Sequence, residues 1–244
     1  MPERFAHVLI IGASSGIGYE LARQYAEAGS RVAAVARRED RLQALRDQYP
    51  DRVIAVVADV KDLAFPKTHL ADITQLLGGL DLAVYCAGVM PEVGPTEFNS
   101  EKDAEMIAVN FAGGVAWLNA VAERFQALGS GAIVGIGSVA GDRGRRGQPV
   151  YNASKAAFAT YLEALRNRLS SKGVAVATIK PGPVATEMTA RLNLSRAMPV
   201  DVAAQRIRQR CGQTGEFYLS PVHRVLFGIL RAIPSFIFRR LPLP

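Results

Sequence analysis

Short apolar segments alternate with amphipathic helical segments along most of the chain. The apolar segments are rich in Val, Ile and Ala and apolar throughout, which is typical of strands buried on both faces of a parallel sheet. The helical segments between them supply the right-handed crossovers that parallel strands need. We therefore predict an α/β fold, a doubly wound seven-stranded parallel sheet with helices on both faces. The strands are expected at 7–11, 31–36, 53–57, 81–85, 132–136, 174–179 and 216–219.

The length and composition indicate one globular domain spanning residues 1–244. A chain of 244 residues, 49% hydrophobic and 21% charged, can bury a large core. Two cysteines, Cys86 and Cys211, do not suggest a disulfide framework, and the first residues lack the pattern of a secretion signal, so a cytoplasmic location is expected. The three histidines have no partners at ligand spacing, so no metal site is predicted.

Positive charge is concentrated near the C-terminus. Residues 205–244 hold seven arginines against the single acid Glu216, which accounts for six of the seven net positive charges. This concentration predicts an anionic surface or an anionic substrate near that end of the chain. Nucleic acid is not the predicted partner, because the sequence has no zinc-ligand spacing, no RNA-binding motif and no strand of interleaved aromatic and basic residues.

The composition changes near Pro221, where an apolar stretch with arginines at both ends begins. We call residues 221–244 the C-terminal segment. Its apolar runs, interrupted by Arg231 and Pro234, are too short to span a bilayer. Two interpretations remain open: a C-terminal helix packed on the core, or a basic amphipathic helix lying on the cytoplasmic face of a membrane.

A glycine-rich turn follows the first predicted strand and leads directly into a helix. Glycines at such a turn let the backbone approach a pyrophosphate, whose charge is met by the unpaired N–H groups of the helix N-terminus. Glycines also serve ordinary tight turns, so the strand–turn–helix context carries the prediction of a dinucleotide site. The residues of this turn are Gly12, Ser14, Ser15, Gly16, Ile17 and Gly18.

Arg37 and Arg38 end the second predicted strand, where a dinucleotide fold places the residue that faces the adenosine ribose. An acid there would accept a bond from the ribose 2′-OH, whereas an arginine pairs with a 2′-phosphate. The two arginines therefore favour NADP(H) over NAD(H) as the cofactor. The alternative is that both are solvated arginines at a helix start.

Four polar residues form a candidate catalytic group. Tyr151 and Lys155 are four residues apart in a helical segment, so the phenol and the ammonium share one face. A nearby ammonium favours the phenolate, which would bring the pKa of Tyr151 down towards working pH for proton exchange with a carbonyl or alcohol oxygen. Ser138 would hydrogen-bond the substrate oxygen, and Asn110 would anchor a water that relays protons to Lys155.

Together and in this order, the motifs resemble the short-chain dehydrogenase/reductase family, whose members are Rossmann-fold oxidoreductases. The resemblance runs from Val8 to about Thr186 and includes the glycine turn, Asn110, Ser138, and Tyr151 with Lys155. It implies a homo-oligomer built on the helices of Asn110 and Tyr151. It also implies cofactor contacts on the adenine, adenosine and nicotinamide sides from Asp59, Val60, Ala87, Gly88, Tyr151, Lys155, Pro181, Gly182, Val184 and Thr186.

Two positions depart from the family pattern. Ile11 stands where a threonine usually precedes the glycine turn, and Tyr85 and Cys86 stand where two asparagines usually precede Ala87. The usual residues stabilise the central strand and the cofactor site.

A narrower resemblance concerns the substrate. Segments 142–146, 186–192 and 231–242 are similar to the decaprenylphosphoryl-2-keto-pentose reductase branch of the family, which reduces a keto sugar carried on a polyprenyl phosphate. The resemblance implies a lipid-linked carbonyl substrate, which would favour a C-terminal segment that docks at the bilayer. Met188 is a further candidate substrate residue; the alternative is that it only packs in a lid over the cleft. The arginines that would meet the phosphate are Arg143, Arg145 and Arg146.

Three alternatives stay open at this point. The chain could be a soluble reductase of 3-oxoacyl thioesters, small ketones or steroids, with the C-terminal segment closing the pocket. It could be an NADP(H)-binding regulator or a membrane-docked scaffold without turnover, although the intact catalytic group argues against this. It could also work beside a partner oxidase that supplies the keto intermediate.

Overall fold

The computed structural model describes residues 5–94, 96–192, 195 and 197–241. In this part of the chain seven strands form one sheet in the order β3-β2-β1-β4-β5-β6-β7, with every neighbouring pair parallel. The predicted doubly wound parallel sheet is confirmed. The strands are β1 (His7–Ile11), β2 (Arg31–Ala36), β3 (Val53–Val57), β4 (Leu82–Tyr85), β5 (Gly131–Ile136), β6 (Val174–Lys180) and β7 (Gly215–Tyr218).

Nine α-helices occur among the described residues, and they cover both faces of the sheet. A π-helical turn, Ala108–Ala112, joins the fourth and fifth helices, and a 3-10 turn, Val139–Asp142, follows β5. The helices are α1 (Gly16–Glu27), α2 (Glu39–Gln48), α3 (Phe65–Leu77), α4 (Ser100–Ile107), α5 (Gly113–Leu128), α6 (Pro149–Leu169), α7 (Val200–Arg208), α8 (Pro221–Ala232) and α9 (Ser235–Phe238).

Alternate residues of the central strands enter two separate cores. In β1, Val8 and Ile10 pack towards α1, α2 and α7, whereas Leu9 and Ile11 pack towards α3, α5 and α6. Because successive strand side chains point to opposite faces, a strand that is apolar throughout must be covered on both sides. This explains why the strand segments carry an unbroken apolar sequence.

The strand order reverses beside β1, because β2 pairs on one side of it and β4 on the other. The register aligns Ile11 with Val35 of β2 and with Tyr85 of β4, so the strands end at one common edge. Crevices at the carboxyl edge of such a reversal are where open α/β sheets bind ligands. The fold therefore places a site where the glycine turn leaves β1.

One helical run, Ser100–Leu128, is long and apolar enough by length and composition to cross a membrane. Its apolar side chains are accounted for by the core, since Trp117, Val121 and Phe125 are fully buried beneath the sheet. Core helices of water-soluble proteins commonly show the same composition. The run therefore belongs to the layer of helices that covers the sheet.

The C-terminal segment forms α8 and α9, and residues 242–244 lie outside the described part of the chain. Phe227 of α8 is buried, and its ring meets the edge of His223 at 6.2 Å. Several apolar side chains of the same helix are exposed. The helix thus packs against the core on one side only.

Candidate active site

A cleft of about 390 Å³ lies at the carboxyl edge of the sheet. Nineteen of the residues predicted for the site line it, and they come from the segments at the ends of β1 to β6 and from α1 and α6. They are Gly12, Ser14, Ser15, Gly16, Ile17, Gly18, Arg37, Arg38, Val60, Ala87, Gly88, Ser138, Tyr151, Lys155, Pro181, Gly182, Val184, Thr186 and Met188.

The glycine turn packs too tightly to admit side chains. A Cβ added at Gly12, where φ is +95°, would lie 2.5 Å from the nitrogen of Ala87, and one added at Gly18 would lie 2.1 Å from the oxygen of Gly12. Gly16 opens α1 at a φ of +54°, and Ser15 before it makes no side-chain cap of the helix. The first N–H groups of α1 therefore face the cleft, as the pyrophosphate of a dinucleotide requires.

Two arginines stand at the end of the cleft where β2 finishes. The Nε of Arg38 donates to Ser14 Oγ at 3.1 Å, and its guanidinium pairs with Glu187 Oε2 at 3.0 Å. Arg37 lies 3.9 Å from a carboxylate oxygen of Asp59. The glycine turn and the guanidinium groups of Arg37 and Arg38 thus line the same cleft. These residues fit a dinucleotide that carries a 2′-phosphate.

Ser138, Tyr151 and Lys155 meet in the cleft. Tyr151 and Lys155 lie in the first half of α6, with the Lys155 ammonium 5.9 Å from the centre of the phenol ring. Ser138 follows β5 and lies close enough to the Tyr151 hydroxyl to lower the pKa of that phenol, and its Oγ accepts from the Ala140 N–H at 3.0 Å. A serine, a phenol and an ammonium are thereby placed around one point at the edge of the sheet.

Burial sets the protonation of this group. It raises the pKa of Tyr151, an effect opposed by the Ser138 hydrogen bond and by the charge of Arg145. Burial also lowers the pKa of Lys155 to about 8. The net shift of the Tyr151 pKa is upward, because burial of the phenol outweighs the effects of Ser138 and Arg145, so the expectation of a lowered pKa is not met in this structure.

The turn that carries Ser138 rests directly on α6. A Cβ added at Gly141 would lie 2.8 Å from the nitrogen of Ala156 and 2.8 Å from the carbonyl carbon of Lys155. Only glycine permits such close contact between a turn and a helix backbone. The position of Ser138 relative to Lys155 is therefore fixed through backbone contact.

Asn110 is fully buried in the π-helical turn and lies beside the cleft rather than in its lining. Its Oδ1 accepts from the Val89 N–H at 2.7 Å, while its Nδ2 donates to Val89 O at 3.0 Å and to Ser154 Oγ at 3.1 Å. The side chain therefore holds the segment that follows Gly88, and the role of Asn110 in anchoring a water that relays protons to Lys155 stays a prediction.

Tyr85 and Cys86, two of the three residues that depart from the family pattern, pack against the π-helical turn and the glycine turn. The hydroxyl of Tyr85 donates to Val109 O at 2.6 Å, and its ring packs on Phe158 at 5.5 Å. Cys86 fills the space next to Gly18, 3.2 Å from the position of an added Cβ. The phenol of Tyr85 thus supplies the link between β4 and the turn that carries Asn110.

The other predicted residues lie outside the cleft lining. Asp59 follows β3 and lies beside Arg37, and its Oδ1 accepts from the Lys61 N–H at 2.9 Å. Arg143 and Arg146 hydrogen-bond carbonyl oxygens of the C-terminal segment. Arg145 is close enough to Tyr151 to influence its pKa. Of the four residues predicted for the substrate, the structure brings only Met188 into the cleft lining.

Sequence reasoning missed two residues in the loop after β6. Glu187 lines the cleft and pairs with Arg38, although it stands between Thr186 and Met188, which were both predicted. Thr189 donates to Val184 O and accepts from the Thr186 N–H at 3.1 Å, so it fastens the loop on itself. The spacing of two threonines three residues apart was the available signal for Thr189.

Comparison with known proteins identifies a large set of relatives. The short chain dehydrogenase family model matches residues 6–197. An uncharacterized oxidoreductase of Myxococcus xanthus is 39% identical over 188 residues, which cover 76% of this chain and 74% of the relative. An uncharacterized oxidoreductase of Mycobacterium tuberculosis is 33% identical over 202 residues, which cover 80% of this chain and 79% of the relative.

Solved structures show the same fold. A short-chain dehydrogenase from Streptomyces avermitilis superposes with a TM-score of 0.84 at 26% identity, covering 96% of each chain. A provisionally assigned NAD(P) dependent gluconate 5-dehydrogenase from Beutenbergia cavernae, with NADP bound at low occupancy, gives 0.81 at 25% identity, covering 89% of this chain and 96% of that one. With the family model matching most of its length, the chain belongs to the short-chain dehydrogenase family of nicotinamide-dependent oxidoreductases.

Proposed function

We propose that this protein reduces a ketone to a secondary alcohol with NADP(H), using Tyr151 as the proton donor. The observation that carries the proposal is the convergence of Ser138, Tyr151 and Lys155 in the same cleft as the glycine turn. A structural role alone does not require a phenol, a hydroxyl and an ammonium to meet beside a dinucleotide site. The intact group also argues against a scaffold that has lost turnover.

The residues of this chain divide the chemistry among them. When bound, NADPH supplies a hydride to the carbonyl carbon. The phenol of Tyr151 gives its proton to the carbonyl oxygen, and Ser138 donates a hydrogen bond to the same oxygen as negative charge develops on it. Protonated Lys155 stabilises the phenolate that Tyr151 leaves behind. Asn110 holds the main chain of Val89, and so the segment after Gly88, beside Tyr151 and Lys155.

The preference for NADP(H) over NAD(H) rests on Arg37 and Arg38. Both line the cleft, and Arg38 is already held towards the glycine turn by Ser14. A guanidinium in that position pairs with a 2′-phosphate, whereas NAD(H) has only a hydroxyl to offer it. The NADP found in the Beutenbergia cavernae structure supports the same assignment.

For the substrate we propose a keto sugar on a polyprenyl phosphate. The resemblance of three segments to the keto-pentose reductase branch supports this choice, as does the apolar, arginine-rich C-terminal segment beside the cleft. Arg143 and Arg146 are engaged with that segment, so Arg145 is the loop arginine left to meet the phosphate. Such a substrate would come from a partner oxidase that makes the ketone.

A substrate panel with the purified chain and NADPH tests the proposal. The panel contains a polyprenyl-phosphate keto sugar, a 3-oxoacyl thioester and small soluble ketones. We expect turnover of the lipid-linked ketone, and its loss by at least a thousandfold in Tyr151→Phe. NADPH binding, followed by its fluorescence, should be unchanged in that variant.

Each other result corrects a stated part of the proposal. Turnover of the soluble ketones alone would replace the lipid-linked substrate with a soluble one. Turnover by Tyr151→Phe near that of the parent chain would remove Tyr151 from its role. NADPH binding without turnover of any ketone would favour a binding protein.

A further inference from the structure

The outer face of the C-terminal segment carries a dense group of exposed apolar side chains. Among the described residues, thirteen large hydrophobic side chains are exposed, and six of these lie within residues 222–237. Exposed apolar residues scattered singly are ordinary, but a contiguous group marks a surface that meets another apolar phase. We call these six residues the outer face: Val222, Val225, Leu226, Ile229, Phe236 and Ile237, each between 44% and 70% exposed.

Helical spacing places the α8 members of the outer face together. Val222, Val225, Leu226 and Ile229 follow the i, i+3, i+4, i+7 pattern, so they form one stripe along the helix. His223 and Phe227 lie on a different side of α8 and face the protein. Phe227 is buried, and the ring of His223 occupies the space where a Cβ of Gly182 would be. The helix therefore has one apolar side for the core and a second that the core does not cover.

The inner side of the C-terminal segment is firmly attached to the protein. Arg143 donates to Ile233 O at 2.9 Å and to Arg231 O at 3.3 Å, and its guanidinium lies 4.6 Å from the centre of the Phe238 ring. These carbonyl groups end α8, where a helix leaves acceptors without intrahelical partners. Arg146 donates in the same way to Arg239 O at the end of α9. The outer face is therefore presented by an anchored element.

The charges beside the outer face have one sign. Residues 221–241 contain Arg224, Arg231, Arg239 and Arg240 and no acidic residue. Arg231 lies 3.9 Å from Asp142 and 3.7 Å from Glu216, and like the other three arginines it is exposed. An apolar stripe flanked by exposed cations complements a lipid surface with anionic headgroups, because the side chains enter the acyl boundary while the cations remain at the phosphates.

We propose that the outer face docks on a membrane rich in anionic phospholipid and holds the cleft at the lipid surface. The docking does not depend on the proposed chemistry, since the inference rests on the exposed stripe and its flanking arginines alone. The ring of His223 in α8 packs against Gly182 in the cleft lining, so the helix that carries the outer face directly contacts the wall of the cleft. Because residues 221–241 carry four arginines and no acidic residue, two copies of this face would repel one another, so the occupant inferred is an anionic bilayer rather than a second copy of the chain.

Vesicle partitioning of the full-length chain tests the proposal. Sedimentation is measured with phosphatidylcholine vesicles and with vesicles that also contain phosphatidylglycerol. We expect binding only to the anionic vesicles, and weaker binding as salt is raised. Arg240→Gln should lower the partition coefficient about fivefold. The double variant Val225→Glu with Ile229→Glu should lower it at least tenfold, because it places carboxylates in the apolar stripe.

A matched control uses exposed apolar residues elsewhere. Leu76→Glu and Leu128→Glu change the net charge by the same amount on α3 and α5, and we expect vesicle binding close to that of the parent chain. Thermal unfolding and NADPH binding confirm that every variant is folded. Two results would overturn the proposal: parent chain that stays in solution with anionic vesicles, or outer-face and control variants that bind equally. A third contradicting result would come from light scattering: a dimeric parent chain that becomes monomeric only in the outer-face variant.

Discussion

The ammonium nitrogen of Lys155 lies 3.1 Å from the carbonyl oxygen of Ile136, the last residue of β5. The hydrogen bond holds the ammonium group of Lys155 at the edge of the sheet, directly before the turn that carries Ser138. Because this position is buried, the ammonium is costly to keep charged, and the pKa of Lys155 falls to about 8.

The rate of ketone reduction should depend on that pKa. In the proposed mechanism Lys155 must be protonated to stabilise the Tyr151 phenolate, so kcat/KM should be constant below pH 8 and fall as pH rises through about 8. Above that pH the decline should approach about tenfold per pH unit. A pH–rate profile with saturating NADPH measures it, and a flat profile through pH 10 would show that Lys155 does not titrate in the reaction.

Arg38 should decide between the two nicotinamide cofactors. Arg38→Ala removes the guanidinium held between Ser14 and Glu187, and we expect KM for NADPH to rise at least tenfold, since hydrogen bonds to charged groups contribute about 1.5–3 kcal/mol. KM for NADH should change less than threefold. Arg41→Ala, an exposed arginine in α2, is the control. Equal losses for both cofactors would mean that Arg38 supports the fold of the turn.

Glu187 should oppose NADPH binding. Its carboxylate pairs with Arg38 at 3.0 Å and so competes with a 2′-phosphate for the same guanidinium. We expect Glu187→Gln to tighten NADPH binding about two- to threefold, in line with the small strength of exposed ion pairs. Titration of NADPH fluorescence measures the change. Weaker binding in this variant would show that Glu187 helps to hold the cofactor loop in place.

Tyr85→Phe should destabilise the protein without changing its fold. The substitution removes the donor to Val109 O in a buried part of the π-helical turn, and a buried acceptor left without its partner costs about 1–3 kcal/mol. Urea unfolding gives the free energy of unfolding. Tyr161→Phe is the control, because the hydroxyl of Tyr161 bonds Asn119 in a more exposed setting, and its loss should be smaller. Equal losses in both variants would contradict the assigned role.

Asp142→Asn should destabilise the protein more than the loss of a more exposed ion pair does. Asp142 is fully buried and Lys180 is 2% exposed, with 2.5 Å between their charged atoms, and the Tyr218 hydroxyl also donates to Asp142 at 2.8 Å. Lys180 keeps Glu216 as a second partner at 2.8 Å, so we expect the loss of one charged hydrogen-bonding partner at a buried site, about 1.5–3 kcal/mol. Urea unfolding tests this against Glu97→Gln, which breaks an exposed pair with Lys102. A loss no greater than that of the control would contradict it.

The strands were predicted almost to the residue, because burial on both faces gives each of them an unbroken apolar sequence. The predicted strand 174–179 becomes Val174–Lys180, and 216–219 becomes Gly215–Tyr218. The extension of β6 includes Lys180, a charged residue that propensity alone would place in a loop. Its partner Asp142 is 38 residues away in sequence, and a contact of that kind depends on which strands become neighbours.

The candidate site was predictable where backbone geometry demands particular residue types. Gly12 and Gly18 are needed because any side chain would collide with Ala87 or with the turn itself. The role of Arg143 was not predictable, because its partners are the main-chain oxygens of residues 231 and 233. Every residue has a main-chain oxygen, so the sequence does not show which of them will accept a hydrogen bond. For the same reason, an arginine assigned to a phosphate proved to hold a helix end.

The absence of a side chain at Gly141 has a consequence for redesign. The turn that carries Ser138 contacts the helix of Lys155 through main-chain atoms. The distance between Ser138 and Lys155 therefore does not depend on the side chains that line the substrate region. Substitutions at Met188 or its neighbours should therefore change which ketone is accepted without moving Ser138 relative to Lys155. Gly141 is the position that such engineering must leave unchanged.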